Sequence, residues 1–237
     1  SLVTLCDIMR DADVVINLAA ITRVIESMEQ PHKAYTTNTK IQANLLEAQR
    51  VLKNEEKKNL ISVFASTGGA IAGETQEIIT EAITPNPISV YGASKLASEA
   101  LTKAYCRSFS IDARIVRFTN VYGEFCDYKE SVVAAFSKKI LSDQPLTLRG
   151  NGLMKRDYIY VGDVCDAIYQ TIIHGKAGEI YQIGSGETIS LNELLSILQN
   201  IAPDLKYTKV PDHIGEVSSV KCDISKTSGL SVGVRKG

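Results

Sequence analysis

The sequence predicts an α/β protein built on a parallel sheet, and three observations carry that prediction. Short β-branched apolar runs recur at Val14–Leu18 (VVINL), Leu60–Ala65 (LISVFA) and Ala113–Phe118 (ARIVRF). The first two read as strands buried on both faces, and the third as another strand. Between them lie two stretches long enough for crossover helices, about Lys33–Lys53 and Val90–Ser108. Strand and helix in alternation imply parallel strands joined by right-handed crossovers.

Val14–Leu18 ends in two alanines, Ala19 and Ala20. In the stretch Lys33–Lys53, the residues Ile41, Leu45, Ala48 and Leu52 fall on one helix face. Asn54–Asn59 (NEEKKN) reads as a charged surface turn. Leu60–Ala65 runs into the small residues of Ser66–Gly73, and Pro85 and Pro87 sit in the loop before the second long helix. After Gly123 loops lengthen, with helices expected at Ser131–Ser142, Asp163–His174 and Leu191–Ile201. Ser190 and Glu193 form the capping-box signature of the last of these. Short strands are expected around Leu146–Leu148, Ile180–Ile183 and Tyr207–Val210. The division falls near Tyr122–Tyr128, giving a sheet domain over 1–125 and a smaller region over 126–237.

The chain has 237 residues, 44% hydrophobic and 22% charged, with a formal net charge of −1. That balance supports a sizeable core and gives no broad electrostatic footprint for nucleic acid or an anionic membrane. Cys6, Cys106, Cys126, Cys165 and Cys222 are odd in number and form no C-x-x-C pair, and only three histidines accompany them, so no metal site is expected. Free thiols point to a reducing, cytoplasmic setting. No apolar run reaches membrane-spanning length, and SLVTLCDIMRDADVV does not read as a secretory signal.

The sharpest chemical motif is Y91-G-A-S-K95 at a helix start. Residues four apart share a helix face. An ammonium beside a phenol favours phenolate and would lower its pKa toward neutrality, making it a general base. A chance pair on a solvated face is the alternative, yet of ten tyrosines only Tyr91 has a lysine four residues on. The strand end F64-A-S-T-G-G-A-I-A-G73 presents Ser66 and Thr67 where α/β sheets hold their ligand groups; a simple Ser/Thr-Gly turn is the bland reading.

The hydroxyl strand end, the Y-G-A-S-K helix and R117-F-T-N-V-Y-G123 together resemble the extended short-chain dehydrogenase/reductase family, nearest its NAD-dependent nucleotide-sugar epimerases and dehydratases. The resemblance extends through N17-L-A-A20, S27-M-E-Q-P31, N38-T-K-I-Q-A-N-L-L-E-A48, R156-D-Y-I-Y-V-G-D163-V and D223-I-S-K, over nearly the whole chain. It implies a Rossmann-like NAD-binding fold over 1–125 and a nucleotide-sugar-binding region over 126–237. Tyr91 would be the catalytic acid and base, Lys95 its partner and a ribose ligand, and Thr67, with Ser66 as the lesser candidate, the third member. Leu18, Ala19, Ala20, Asn38, Phe118 and Val121 would line the cofactor with Tyr91 and Lys95. Thr67, Asn120 and Arg156 would hold substrate, the guanidinium meeting its diphosphate; capping or turn roles for Asn38 and Asn120, and an Arg156–Asp157 ion pair, are the structural alternatives. Helices 33–53 and 90–108 would pair in a homodimer.

The sequence also departs from that pattern. It contains no G-x-x-G-x-x-G turn, through which a pyrophosphate approaches a helix N-terminus. A βαβ unit needs about 30 residues, so the chain reads as lacking its first one. Asn17 stands where the family often has His, Ala72 where it often has Tyr, and His213–Glu216 where an Arg-x-Gly-Asp stretch is common. The positions after Thr67 are Gly68 and Gly69, which move no protons, whereas a dehydratase carries an Asp-Glu pair there. This version resembles UDP-glucose 4-epimerases, so C4 epimerisation of a UDP-hexose is expected. A dehydratase, decarboxylase or reductase of the same family, or a catalytically silent fragment acting through dimerisation, are the alternatives.

Overall fold

The computed structural model describes residues 2–75, 77–126, 131–210 and 221–230. The expectation for His213–Glu216 therefore lies outside the described residues, as do Asp127 and Tyr128. The first half contains α1 (Leu2–Arg10), β1 (Val14–Asn17), α2 (Val24–Glu29), α3 (Pro31–Glu56), β2 (Ile61–Thr67), α4 (Gly68–Ala72), α5 (Val90–Phe109) and β3 (Asp112–Phe118). Then come β4 (Asn120–Tyr122), α6 (Val132–Leu141), β5 (Leu146–Arg149), β6 (Lys155–Arg156), β7 (Tyr158–Tyr160) and α7 (Val161–His174). The described chain closes with β8 (Ile180–Ile183), β9 (Ile189–Ser190), α8 (Leu191–Ile201), β10 (Tyr207–Val210) and α9 (Ser225–Ser228).

Four strands form the main sheet in the order β1-β2-β3-β8, all parallel. Successive strand residues face opposite sides, so Val63 and Val116 pack with Val164 and Ile168 of α7 on one face. Ala113 lies on the other face, with Leu46 of α3 and Leu101 of α5. The strand expected at Ile180–Ile183 is thus the fourth strand of the main sheet, and the sheet continues past residue 125.

Two elements differ from the sequence reading. Residues before β1 form α1, whose Cys6 and Met9 are buried against Leu45, Ala48 and Leu52 of α3. The expected turn Asn54–Asn59 is helical as far as Glu56, where Arg10 Nε meets the Glu56 carboxylate at 2.9 Å. Glu and Lys are good helix formers on a solvated face, so the chain turns only at Lys57, which takes a left-handed φ of 57°.

Between α3 and α5 the packing is polar. Asn17 Nδ2 donates to Gln42 Oε1 (2.8 Å), Gln42 Nε2 to Thr102 Oγ1 (3.0 Å) and Asn38 Nδ2 to Ser94 Oγ (3.0 Å). Gln49 ties the helix to the strand starts, donating to the carbonyls of Leu60 (2.6 Å) and Asp112 (3.1 Å). Every one of these amides is buried, so each bond removes a desolvation penalty as well as fixing register.

The remaining strands form three pairs, β5 with β10, β4 with β7, and β6 with β9. Phe136, Leu146, Leu194 and Leu195 make a second apolar cluster under α6 and α8. The capping box is present: Glu193 N–H donates to Ser190 Oγ (3.1 Å), and Ser190 N–H to Glu193 Oε2 (2.6 Å). Among the described residues no helix is long and apolar enough to cross a membrane, and no cluster of three or more His, Cys, Asp or Glu could hold a metal ion.

Gly92 is where α5 meets α4. A Cβ there would stand 2.1 Å from the Ala70 carbonyl oxygen, a backbone atom that cannot rotate away. Gly92→Ala is therefore expected to cost about 2 kcal/mol or more, read as a lower denaturation midpoint with an unchanged m-value.

Candidate active site

The first turn of α5 presents Tyr91. Ser89 caps it, its hydroxyl accepting the Gly92 N–H at 3.1 Å. The Tyr91 N–H, which the helix leaves without an internal acceptor, donates to Ser27 Oγ of α2 at 3.2 Å. The carboxyl end of β2 supplies Thr67; Phe118 and Thr119 follow from β3, and Asn120 and Val121 from β4. With Tyr91 they line one wall of a cavity of about 800 Å³. The far wall comes from Val132, Phe136 and Lys139 of α6, with Thr147, Met154, Arg156, Tyr158 and Leu191. Sequence reasoning found the near wall and Arg156, and missed the α6 side; Phe136 and Lys139 share a helix face by their i, i+3 spacing, the one local signal available.

Lys95 lies one turn beyond Tyr91 and is buried, 3% exposed. Its Nζ donates to the Ala65 carbonyl (2.7 Å), sits 4.8 Å from the Phe64 ring centroid and 5.9 Å from that of Tyr91. This corrects the expected electrostatics. Burial pushes the Tyr91 phenol up to about 12, with no lowering by Lys95, because the ammonium is turned to a backbone carbonyl. Burial also brings Lys95 down to about 8, against the opposing charge of Glu99.

The Lys95 shift has a consequence for stability. Between about pH 8 and the ordinary lysine value of 10.5 the unfolded chain binds the extra proton. The fold therefore carries the full penalty below pH 8 and sheds it as pH rises through that window. The penalty is on the order of 3 kcal/mol. Lys95→Met should abolish this rise, so that the stability difference between wild type and mutant shifts toward the wild type from pH 7 to pH 10 in chemical denaturation.

Ser66 and Thr67 part company. Ser66 is buried and donates to Glu99 Oε1 at 2.6 Å, away from the cavity, whereas Thr67 lines it. Asn38 is committed to the protein: its Oδ1 accepts the Ile21 N–H (2.8 Å), and its Nδ2 donates to the Ile21 carbonyl (3.1 Å) and Ser94 Oγ. Asn17 Oδ1 accepts the Ala19 N–H at 3.1 Å. Together the two asparagines brace the segment Leu18–Ala20, in which Leu18 and Ala19 are exposed at the carboxyl end of β1. Neither this ledge nor Lys95 is among the residues that line the cavity.

Arg156 lines the cavity and donates to the Lys155 carbonyl at 2.9 Å. Asp157 serves a different purpose from the ion pair that its position beside Arg156 suggests. Its buried carboxylate accepts from Ser185 N–H (2.8 Å), Ser185 Oγ (2.9 Å), Gly186 N–H (3.1 Å) and Thr119 Oγ1 (3.2 Å). Its carbonyl accepts from the Asn120 N–H (3.0 Å) and Nδ2 (3.2 Å), fixing Asn120 at the cavity. Gly69 and Ala70 line the cavity, but Gly68 does not. A Cβ on Gly68 would stand 2.7 Å from Gln182 Oε1, the movable end of a side chain.

The sequence profile of the NAD dependent epimerase/dehydratase family matches residues 2–184. The chain belongs to that family. A putative UDP-glucose 4-epimerase of Methanocaldococcus jannaschii is 35% identical over 227 residues, covering 93% of this chain and 72% of the relative. The solved UDP-glucose 4-epimerase of Thermotoga maritima, with UDP-glucose, superimposes with a TM-score of 0.92 at 29% identity, over 100% of this chain and 77% of that one. The Thermus thermophilus UDP-glucose 4-epimerase in complex with NAD gives a TM-score of 0.90 at 30% identity, over 100% of this chain and 78% of that one.

In this family member the residues fit the nicotinamide-ribose half of NAD. The exposed Leu18–Ala20 ledge follows a parallel strand at the sheet's carboxyl edge, where such folds take dinucleotides. Tyr91 lines the cavity at the same edge of the sheet, with the Lys95 ammonium 5.9 Å from its ring centroid. The sequence holds no glycine-rich turn for the pyrophosphate.

Proposed function

We propose that this enzyme interconverts the C4 epimers of a UDP-hexose through a transient 4-keto sugar. The observation that carries this reading is the chemistry of the cavity wall. Among its described lining residues there is no carboxylate and no imidazole; Tyr91, Tyr158, Lys139 and Arg156 are its titratable groups. Dehydration needs an acid and a base to move protons at C5 and C6, and no carboxylate pair stands among the described residues that line this cavity.

NAD, when bound, supplies hydride acceptance at C4 and its return. This chain's residues do the rest. Tyr91 takes the proton of the sugar 4-hydroxyl and returns it to the same oxygen once the keto sugar has turned its other face to the hydride donor. Thr67 hydrogen-bonds the same oxygen and holds it toward Tyr91. For the phenolate to form from a phenol at about 12, Lys95 turns its ammonium from the Ala65 carbonyl toward the phenol oxygen, a movement its flexible stem permits. Asn120 orients the sugar, and Arg156 takes the diphosphate. Gly69 and Ala70 leave room for the keto sugar to rotate.

The test is product formation: UDP-galactose should yield UDP-glucose with no net NADH. A 4-keto-6-deoxy sugar would overturn the reading. The homodimer is part of the same proposal, with Tyr35 of α3 and Phe109 of α5 as exposed aromatic contacts, and sedimentation measures it.

A further inference from the structure

Glu99 stands one helical turn beyond Lys95 on α5 and is only 2% exposed. Its Oε1 accepts from Ser66 Oγ (2.6 Å) and Arg117 Nε (2.8 Å), and its Oε2 from Arg117 Nη2 (2.7 Å). Arg117 is itself 2% exposed, and its Nη1 has no hydrogen-bond partner. The partners are placed suggestively. On β2, the Ala65 carbonyl holds Lys95, Ser66 holds Glu99, and Thr67 faces the cavity. On β3, Arg117 precedes Phe118, another lining residue. One buried carboxylate thus joins the carboxyl ends of two strands to the helix that carries the tyrosine and lysine.

We propose that Glu99 is a positioning residue for the proton-transfer site, holding Thr67 on β2 in register with Tyr91 and Lys95 on α5 and placing a negative charge beside the lysine. The inference rests on the Tyr91–Lys95 reading given above. A buried ion pair serves stability poorly, since apolar residues of similar volume do as well or better, whereas its charge acts on a neighbouring ammonium. The groups around that ammonium are Tyr91 and Glu99 from α5, Phe64 and the Ala65 carbonyl from β2, and Arg117 from β3 through its pairing with Glu99. Of these, Glu99 is the charge that opposes the effect of burial on Lys95.

Glu99→Gln keeps an acceptor for Ser66 and Arg117 and removes the charge. The Lys95 side chain is followed by NMR across pH in wild type and variant, with kcat and KM measured over the same range. The expected result is that Lys95 loses its proton at lower pH, with kcat at pH 7 reduced about tenfold and KM within about twofold. Should Glu99→Gln fail to fold, the double variant Glu99→Met/Arg117→Met removes both charges and leaves no unpaired ion; the same displacement of Lys95 is expected there. A Lys95 titration at the wild-type pH in either folded variant would overturn the inference, as would an unchanged kcat. The titration needs no substrate, so it stands apart from the proposed reaction. Full activity in Tyr91→Phe together with a displaced Lys95 would sink the proton-transfer reading and leave the action of Glu99 on Lys95 in place.

Discussion

Tyr91→Phe should lower kcat by about 10²–10⁴-fold, the range for loss of a positioned general acid/base. The substitution removes one oxygen from a side chain whose ring is already packed, so folding should be little altered. KM should hold within a few-fold if Arg156 and Asn120 carry substrate binding. Thr67→Val should give a smaller loss of the same kind, and Ser66→Val a different one. Ser66 serves Glu99 rather than the cavity, so its replacement acts on stability and on the register of β2. A Tyr91→Phe enzyme turning over at near the wild-type rate would remove Tyr91 from the chemistry.

The largest loss of stability is expected from Arg117→Met. It would leave the Glu99 carboxylate buried with Ser66 as its remaining hydrogen-bond donor. An uncompensated buried charge costs about 3–5 kcal/mol, which in a chain of this size lowers Tm by roughly 10 °C or more. Adding Glu99→Met should restore most of that loss, because the double variant contains no unpaired ion. Calorimetry of the two single variants and the double variant closes the cycle; additive losses would show that the two side chains do not act as a pair.

Some of this architecture is legible in the sequence and some is not, for identifiable reasons. The three β-branched runs announce β1, β2 and β3 because buried parallel strands need continuous apolar residues. Ile180–Ile183 reads as a strand, but nothing local says that it joins β3. Helix α5 hides its inward face. Ser94, Lys95, Ser98, Glu99 and Thr102 are all buried, yet by hydrophobic periodicity they read as solvent-facing. Only their partners on α3, β2 and β3 reveal that face. The i, i+4, i+7 spacing of Leu2, Cys6 and Met9 does carry the signal of α1.

The site divides in the same way. Y-G-A-S-K fixes the spacing of Tyr91 and Lys95, but where the ammonium points depends on Ala65, a residue 30 positions earlier. Alternation along β2 says that Ser66 and Thr67 face opposite sides; which one meets the cavity is decided by where α5 docks. The far wall is drawn from α6, β5, β7 and α8, whose juxtaposition no local pattern encodes.

The most direct test of the central claim follows one hydrogen. UDP-galactose carrying deuterium at C4 is incubated with the enzyme and NAD, and the product sugar is read by NMR. A cavity with Tyr91 as its acid and base and no carboxylate among its described lining residues predicts UDP-glucose with the deuterium retained at C4. Deuterium at C6 of a 4-keto-6-deoxy sugar would contradict it.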